Sequence, residues 1–179
     1  MVRRIVTGEK NGRSYVVSDG PVANTHDFVS MPGFRTTLAW MTHDVPQLPY
    51  DGTGTDPVAE ITSMLPGPNG SCLIVVSFPP DSVMTSPDFD GAAAAAEQAQ
   101  FLPGLADSFD PDGSGMHITA TVDYDIIIEG ELWLELDDGE IRHLKAGDVV
   151  IQNGTRHAWR NRTDKPTTMI SVMVGGERR

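Results

Sequence analysis

Cysteine is nearly absent: Cys72 is the single one in 179 residues, so no internal disulfide is available and nothing asks for an oxidising compartment. Long apolar runs are missing too. No stretch approaches a membrane span, and the opening MVRRIVTGEKNG lacks the apolar core of a secretory signal, so the expectation is a cytoplasmic protein with no membrane partner. Basic residues are absent from the middle of the chain. Between Thr36 and Ile141 there is no Lys or Arg but 19 of the 25 acidic residues, and all 13 basic residues lie in the first 35 positions or from Arg142 onward. The net charge of −12 excludes nucleic acid as a partner. The segregation predicts terminal segments lying beside central ones, basic against acidic.

Helical patterning is scarce. Gly 18 and Pro 13 are scattered through the chain, which favours short strands joined by turns within one domain over residues 1–179. RSYVV (Arg13–Val17) reads as a first strand stopped at Ser18-Asp19-Gly20-Pro21, and Phe34–Thr42 reads as a second. In this second strand Phe34, Thr36, Leu38, Trp40 and Thr42 would share one face. Val58–Leu65 is a candidate strand, and SCLIVVSF has the continuous apolar character of a strand buried on both faces. Ser86–Phe109 is the one convincing helical segment, with Ser86 as its cap and Pro103 as its interruption. From Met116 the pattern returns to short strands, with Asp138-Gly139 as a hairpin turn. The division is residues 1–70 as N-terminal strands and loops, and 71–175 as a barrel core with an insert at about 86–109.

Gly115–Asn161 carries the chemistry-bearing pattern. It holds His117, Thr119 and Asp123 followed by Gly130, and then Gly147, Gly154, His157 and Asn161 in the spacing G-x2-H-x3-N. This pair of motifs resembles the core of the cupin superfamily, the small jelly-roll β-barrels, and the implied fold class is an all-β cupin barrel with N-terminal additions and one helical insert. The departures are specific. Thr119 stands where such motifs carry a second histidine, Asp123 where they carry a glutamate, and Gln152 replaces a proline.

The resemblance implies a divalent transition metal (Fe, Zn, Mn or Ni) held by His117, Asp123 and His157, the two-histidine, one-carboxylate donor set of open-faced iron sites. Asp125 has the same strand parity as Asp123 and is the alternative acid. Without a metal, Asp123 and His157 are candidate acid–base groups, because a carboxylate buried beside neutral imidazoles has a raised pKa. Parity puts Trp159 and Asn161 on the same side as His157, and Ile127 on the same face as Asp123. Trp159 is then a cavity wall or core packing. Arg35 and Trp40 are candidates to close the other side, with a surface position the alternative for Arg35. Thr119 is a candidate hydrogen-bonding group. His26, His43 and His143 read as solvated, and Trp133 as an outward residue for a homodimer contact. The insert is either a lid bearing Phe101, Leu102, Leu105 and Phe109 or a helix packed outside the sheet.

The resulting expectation is a metal-dependent enzyme (lyase, dehydratase, isomerase, decarboxylase or dioxygenase) acting on a small, moderately hydrophobic molecule. Its rivals are a non-catalytic ligand-binding barrel and a metal-free acid–base enzyme.

Overall fold

The computed structural model describes residues 1–178. Its strands are β1 (Arg3–Lys10), β2 (Arg13–Pro21), β3 (Thr25–Asp27), β4 (Arg35–Thr42), β5 (Ser71–Phe78), β6 (Thr121–Glu129), β7 (Glu131–Glu135), β8 (Ile141–Lys145), β9 (Val149–Asn153), β10 (Ala158–Arg160) and β11 (Thr167–Gly175). One α-helix, α1 (Gly91–Phe101), interrupts them, and no helix among the described residues is long and apolar enough to cross a membrane. β1 and β2 form a separate hairpin. The body is a six-stranded sheet in the order β3-β4-β5-β11-β6-β9 facing a three-stranded sheet in the order β10-β7-β8, the two layers of a jelly-roll barrel.

Period-two patterning explains the six-stranded sheet. Thr121, Asp123, Asp125 and Ile127 of β6 are buried, as are Met169, Ser171 and Met173 of β11, while the residues between them are more exposed. The same holds in β5, where Cys72 and Ile74 are buried and their neighbours half-buried; this strand has one buried face, not two. β4 breaks the rule. Its register shifts between Leu38 and Trp40, so Leu38 opposes Ile74 and Met41 opposes Cys72 on the inner face. The bulge turns Trp40 outward, where Arg4 lies over its ring at 5.4 Å and Tyr50 packs edge-on.

Two apolar clusters fill the space between the layers. In one, Ile127 and Met169 meet Leu132, Leu134 and Leu144 of the three-stranded sheet. In the other, Leu38, Met41, Cys72, Ile74 and Met173 meet Val58 and Met64 from the long loop, and Ala94 and Leu102 from the insert. The short sheet covers only part of the inner face, and the insert and loop cover the rest. The insert is therefore part of the barrel's closure and not an appendage on its outer surface.

Several elements differ from the sequence expectation. β1 precedes the hairpin partner read as the first strand, and β2 runs on through Ser18–Pro21 because β1 supplies its pairing. Val58–Leu65 is loop. The helix begins at Gly91, with Asp90 in place of Ser86 as cap; the Asp90 carboxylate accepts from the Ala92 and Ala93 amides at 3.0 Å each. His26, expected in solvent, stacks on Phe101 at 3.5 Å and pairs with Glu97 at 2.8 Å. Glu97 also accepts from the Val29 and Ser30 amides and the Ser30 hydroxyl, which ties α1 to the β3–β4 connection and holds the Glu97 carboxyl down at about 2.

The charge segregation resolves as expected. Arg4 pairs with Asp56, Arg156 with both Asp110 and Asp137, and Arg160 with Glu135, each joining a terminal segment to the acidic middle. Trp133 is covered within its own chain, stacked on His143 at 4.3 Å with Arg162 on its ring at 5.7 Å.

Candidate functional site

His117 and His157 come together through the backbone. They oppose each other in an isolated antiparallel bridge, with the His117 amide donating to the His157 carbonyl at 2.9 Å and the His157 amide returning at 3.0 Å. Directly opposed residues project their side chains to one side, and the two imidazoles lie 4.2 Å apart between centroids. Phe109 packs on His117 at 4.7 Å, and Trp159 meets His157 edge-on at 5.6 Å. Both histidines are buried.

The two rings are held alike. Nδ1 of His117 lies 3.2 Å from the Gly115 carbonyl, and Nδ1 of His157 lies 2.9 Å from the Thr155 carbonyl. A carbonyl only accepts, so each Nδ1 carries the proton and each Nε2 presents a lone pair. Burial pushes the His117 pKa down to about 4, helped by His157 beside it, and burial likewise lowers His157. Near neutral pH both are uncharged bases.

Asp123 and Asp125 lie apart from this pair. Both alternate inward on β6, where Asp123 faces Gln152 of β9 and Met173 of β11, and Asp125 faces Val150 and Ser171. Burial raises both carboxyls, Asp125 to about 7 with the charge of Asp123 adding to it; the Thr121 and Ser171 hydroxyls partly oppose the shifts. Cys72 shares this interior, and its thiol is pushed up to about 12, chiefly by burial.

The three-ligand metal set expected from the sequence is not assembled: among the described residues no three His, Cys, Asp or Glu side chains converge. A bend at Ala120 separates the His117 bridge from β6, so His117 joins the segment leading to β10 while Asp123 stays on the six-stranded sheet. Asp also reaches one methylene less far than the glutamate of the family motif. Of that donor set, the fold brings together the two imidazoles with their open Nε2 atoms and leaves the carboxylate out.

The remaining predicted site residues divide. Trp159 combines both expected roles, touching His157 and packing on the Ile127 cluster. Ile127 is fully buried and serves as core. Thr119 shares a 2.7 Å hydrogen bond with Thr121, and both line a cavity of about 240 Å³ with Asn153 and Gly154. Asn161 is buried but bound to its own chain: its Nδ2 donates to the Phe78 and Lys165 carbonyls at 3.0 and 2.7 Å, and its Oδ1 accepts from Thr163. It fixes a turn. Arg35 is exposed and pairs with Asp27 at 2.5 Å, and Trp40 faces outward at the bulge; neither closes the barrel interior. Sequence reasoning did not count Gln152, which stands across from Asp123, as a site residue. Its signal was the alternation of β9, which places Val150 and Gln152 on the inner face.

A two-layered β-barrel with paired histidines inside one end defines the class. Residues 109–173 match the cupin domain model. Among relatives, it is 47% identical over 68 residues to phomopsin biosynthesis cluster protein D of Diaporthe leptostromiformis, covering 35% of this chain and 36% of that one. It is 46% identical over 54 residues to a cupin-domain-containing oxidoreductase of Hypocrea virens, covering 30% of this chain and 28% of that one. The matched segments thus span about a third of these relatives. A cupin 2 conserved barrel domain protein from Salinispora arenicola aligns in structure with 15% identity and a TM-score of 0.39, over 80% of this chain and 78% of that one.

Proposed function

We propose that the protein is a cupin enzyme acting on a small, moderately hydrophobic organic molecule by proton transfer at the His117–His157 pair. One observation carries this reading: two buried imidazoles stand side by side, each with Nδ1 bound to a backbone carbonyl and Nε2 left as a base. Fixed orientation and neutrality at pH 7 are what a general base requires. The field of one ring on the other lets the pair hold one proton far more easily than two. One imidazole can therefore accept a substrate proton while its neighbour stays neutral. Trp159 and Phe109 form the apolar walls, consistent with a partly hydrophobic substrate. The relatives described as biosynthesis cluster proteins and oxidoreductases favour an enzyme of small-molecule metabolism.

A metal-dependent version has one observation in its favour, the two open Nε2 atoms. A divalent ion there would act as a Lewis acid, with His117 and His157 as its protein ligands and Asp123 outside the set.

The test uses a panel of enolisable carbonyl compounds in D2O, with exchange of the acidic hydrogens followed by proton NMR. Catalysed exchange that disappears in both His117→Ala and His157→Ala supports proton transfer. Exchange that survives in both variants refutes it. A transition metal found in stoichiometric amount in the purified protein, lost in both variants and needed for exchange, establishes the metal-dependent version. Binding with no turnover of any compound leaves a ligand-binding barrel. A homodimer is proposed on the outer face of β6 and β9, where Tyr124, Val149 and Ile151 are exposed on the sheet edge; sedimentation of Ile151→Lys against wild type tests it.

A further inference from the structure

Between the two apolar clusters the barrel interior carries a polar band. Asp123 and Asp125 both point inward from β6, and Gln152 stands directly across from Asp123 on the same face. Their exposures are 4%, 2% and 3%. Oδ1 of Asp123, Oδ2 of Asp125 and Nε2 of Gln152 have no hydrogen-bond partner among the described residues. Folded proteins leave few buried polar atoms unsatisfied, and here three sit on two neighbouring strands.

The chemistry of the three is specific. Oε1 of Gln152 accepts from the Thr155 hydroxyl at 2.5 Å, which leaves the NH2 as the unpaired end of the amide. An NH2 donor beside two carboxylates suits an organic group with donors and an acceptor of its own, and it repels a metal ion. Among the described residues no Lys or Arg is buried in this interior. Arg4, Arg156 and Arg160 are half-buried and paired with other acids, and every other described Lys and Arg is exposed. A cationic group on a ligand would favour the ionised form of the two carboxyls, which burial otherwise keeps protonated more readily than usual.

We propose that this band anchors the substrate and that it takes a primary amine with a carbonyl on the neighbouring carbon. The ammonium donates to Asp123 Oδ1 and Asp125 Oδ2, and the carbonyl oxygen accepts from Gln152 Nε2. The apolar remainder of the molecule packs against Met173 or Met169, which flank the band on β11. This rests on the small-molecule reading above and deepens it by naming the substrate class.

Isothermal titration calorimetry with three probes tests it: phenylalaninamide, its alcohol counterpart 3-phenyllactamide, and 2-phenylethylamine, which lacks the carbonyl. Phenylalaninamide is expected to bind at least about tenfold more tightly than either of the others, the scale of one buried hydrogen bond. Asp123→Asn and Asp125→Asn erase the preference for amine over alcohol. Gln152→Leu keeps that preference but loses the one for phenylalaninamide over 2-phenylethylamine. Circular dichroism confirms folding, and where the Asp variants fail to fold the Gln152→Leu pattern decides. Absence of amine binding, equal binding of amine and alcohol, or an amine preference that survives both Asp variants overturns the proposal. Amine preference without hydrogen exchange overturns proton transfer alone, and exchange without amine preference overturns the subsite alone.

Discussion

Asp125 and His117 place two opposite slopes in the pH dependence of stability. Burial raises the Asp125 carboxyl from 3.8 to about 7, so the folded chain keeps a proton that the unfolded chain releases. Stability contributed by this group therefore falls as pH rises through that window, and the whole penalty is present above about pH 7. At about 1.36 kcal/mol per pH unit the full swing is about 4 kcal/mol. His117 works the other way. Its folded pKa is depressed from 6.5 to about 4, so its stabilising share is complete above the unfolded value and is lost as pH falls toward 4. That swing is about 3 kcal/mol by the same relation. In the wild type the two largely offset each other between about pH 4.5 and about pH 6.5, and each single variant exposes the other. Asp125→Asn keeps the shape and removes the ionisation, so its stability relative to wild type improves by about 4 kcal/mol between about pH 3 and about pH 8. His117→Gln shows the reverse trend, losing relative stability with rising pH. Urea unfolding at a series of pH values measures both. The pH dependence is the decisive quantity, because the amide nitrogen that Asp125→Asn introduces adds an offset that does not vary with pH. A stability difference between wild type and Asp125→Asn that stays constant from acid to alkaline pH refutes the assignment of a buried, protonated carboxyl.

Asn161→Ala removes a buried amide that bonds the Phe78 and Lys165 carbonyls and accepts from Thr163, and a loss of about 2–4 kcal/mol in chemical denaturation is expected from the loss of these bonds. Gly130 has φ +81°, and a Cβ there would lie 2.5 Å from Thr167 Oγ1, so Gly130→Ala is expected to lower the thermal midpoint by several degrees, or roughly 2–3 kcal/mol. Glu97→Gln weakens the tie between α1 and the β3–β4 connection; limited proteolysis within residues 85–110 is expected to accelerate, with the β-rich core left intact. Leu102→Ala opens a cavity in the cluster where the insert closes the barrel, with an expected cost of about 2–5 kcal/mol in urea unfolding.

Local pattern was enough for much of this protein. Short runs of β-forming and apolar residues between turn signals marked β4, β5, β6, β9 and β11 as strands, because strand propensity and turn chemistry are local to each segment. The Asp138-Gly139 turn followed from residue chemistry, since both positions have positive φ (56° and 73°). The resemblance of the two motifs to the cupin core implied that His117 and His157 meet, and the charge segregation anticipated Arg156 and Arg160 meeting the acidic middle. Other features depend on contacts between distant segments. The bulge in β4 reversed Trp40, because a single register shift turns every later side chain to the other face. Asn161 looks like a site residue by parity, yet it is bound to distant carbonyls, and Arg35 takes the surface alternative, paired with Asp27. Asp123 holds the motif's acid position, but the bend at Ala120 and the shorter Asp side chain leave it with Asp125 and Gln152, away from the histidines. By itself the sequence determined a chain of short strands and turns, since those are local properties, and the resemblance of its two motifs to the cupin core implied the barrel and the histidine pair. Tertiary structure alone decided which polar side chains share a space, because that depends on which strands lie side by side and which face each one turns inward.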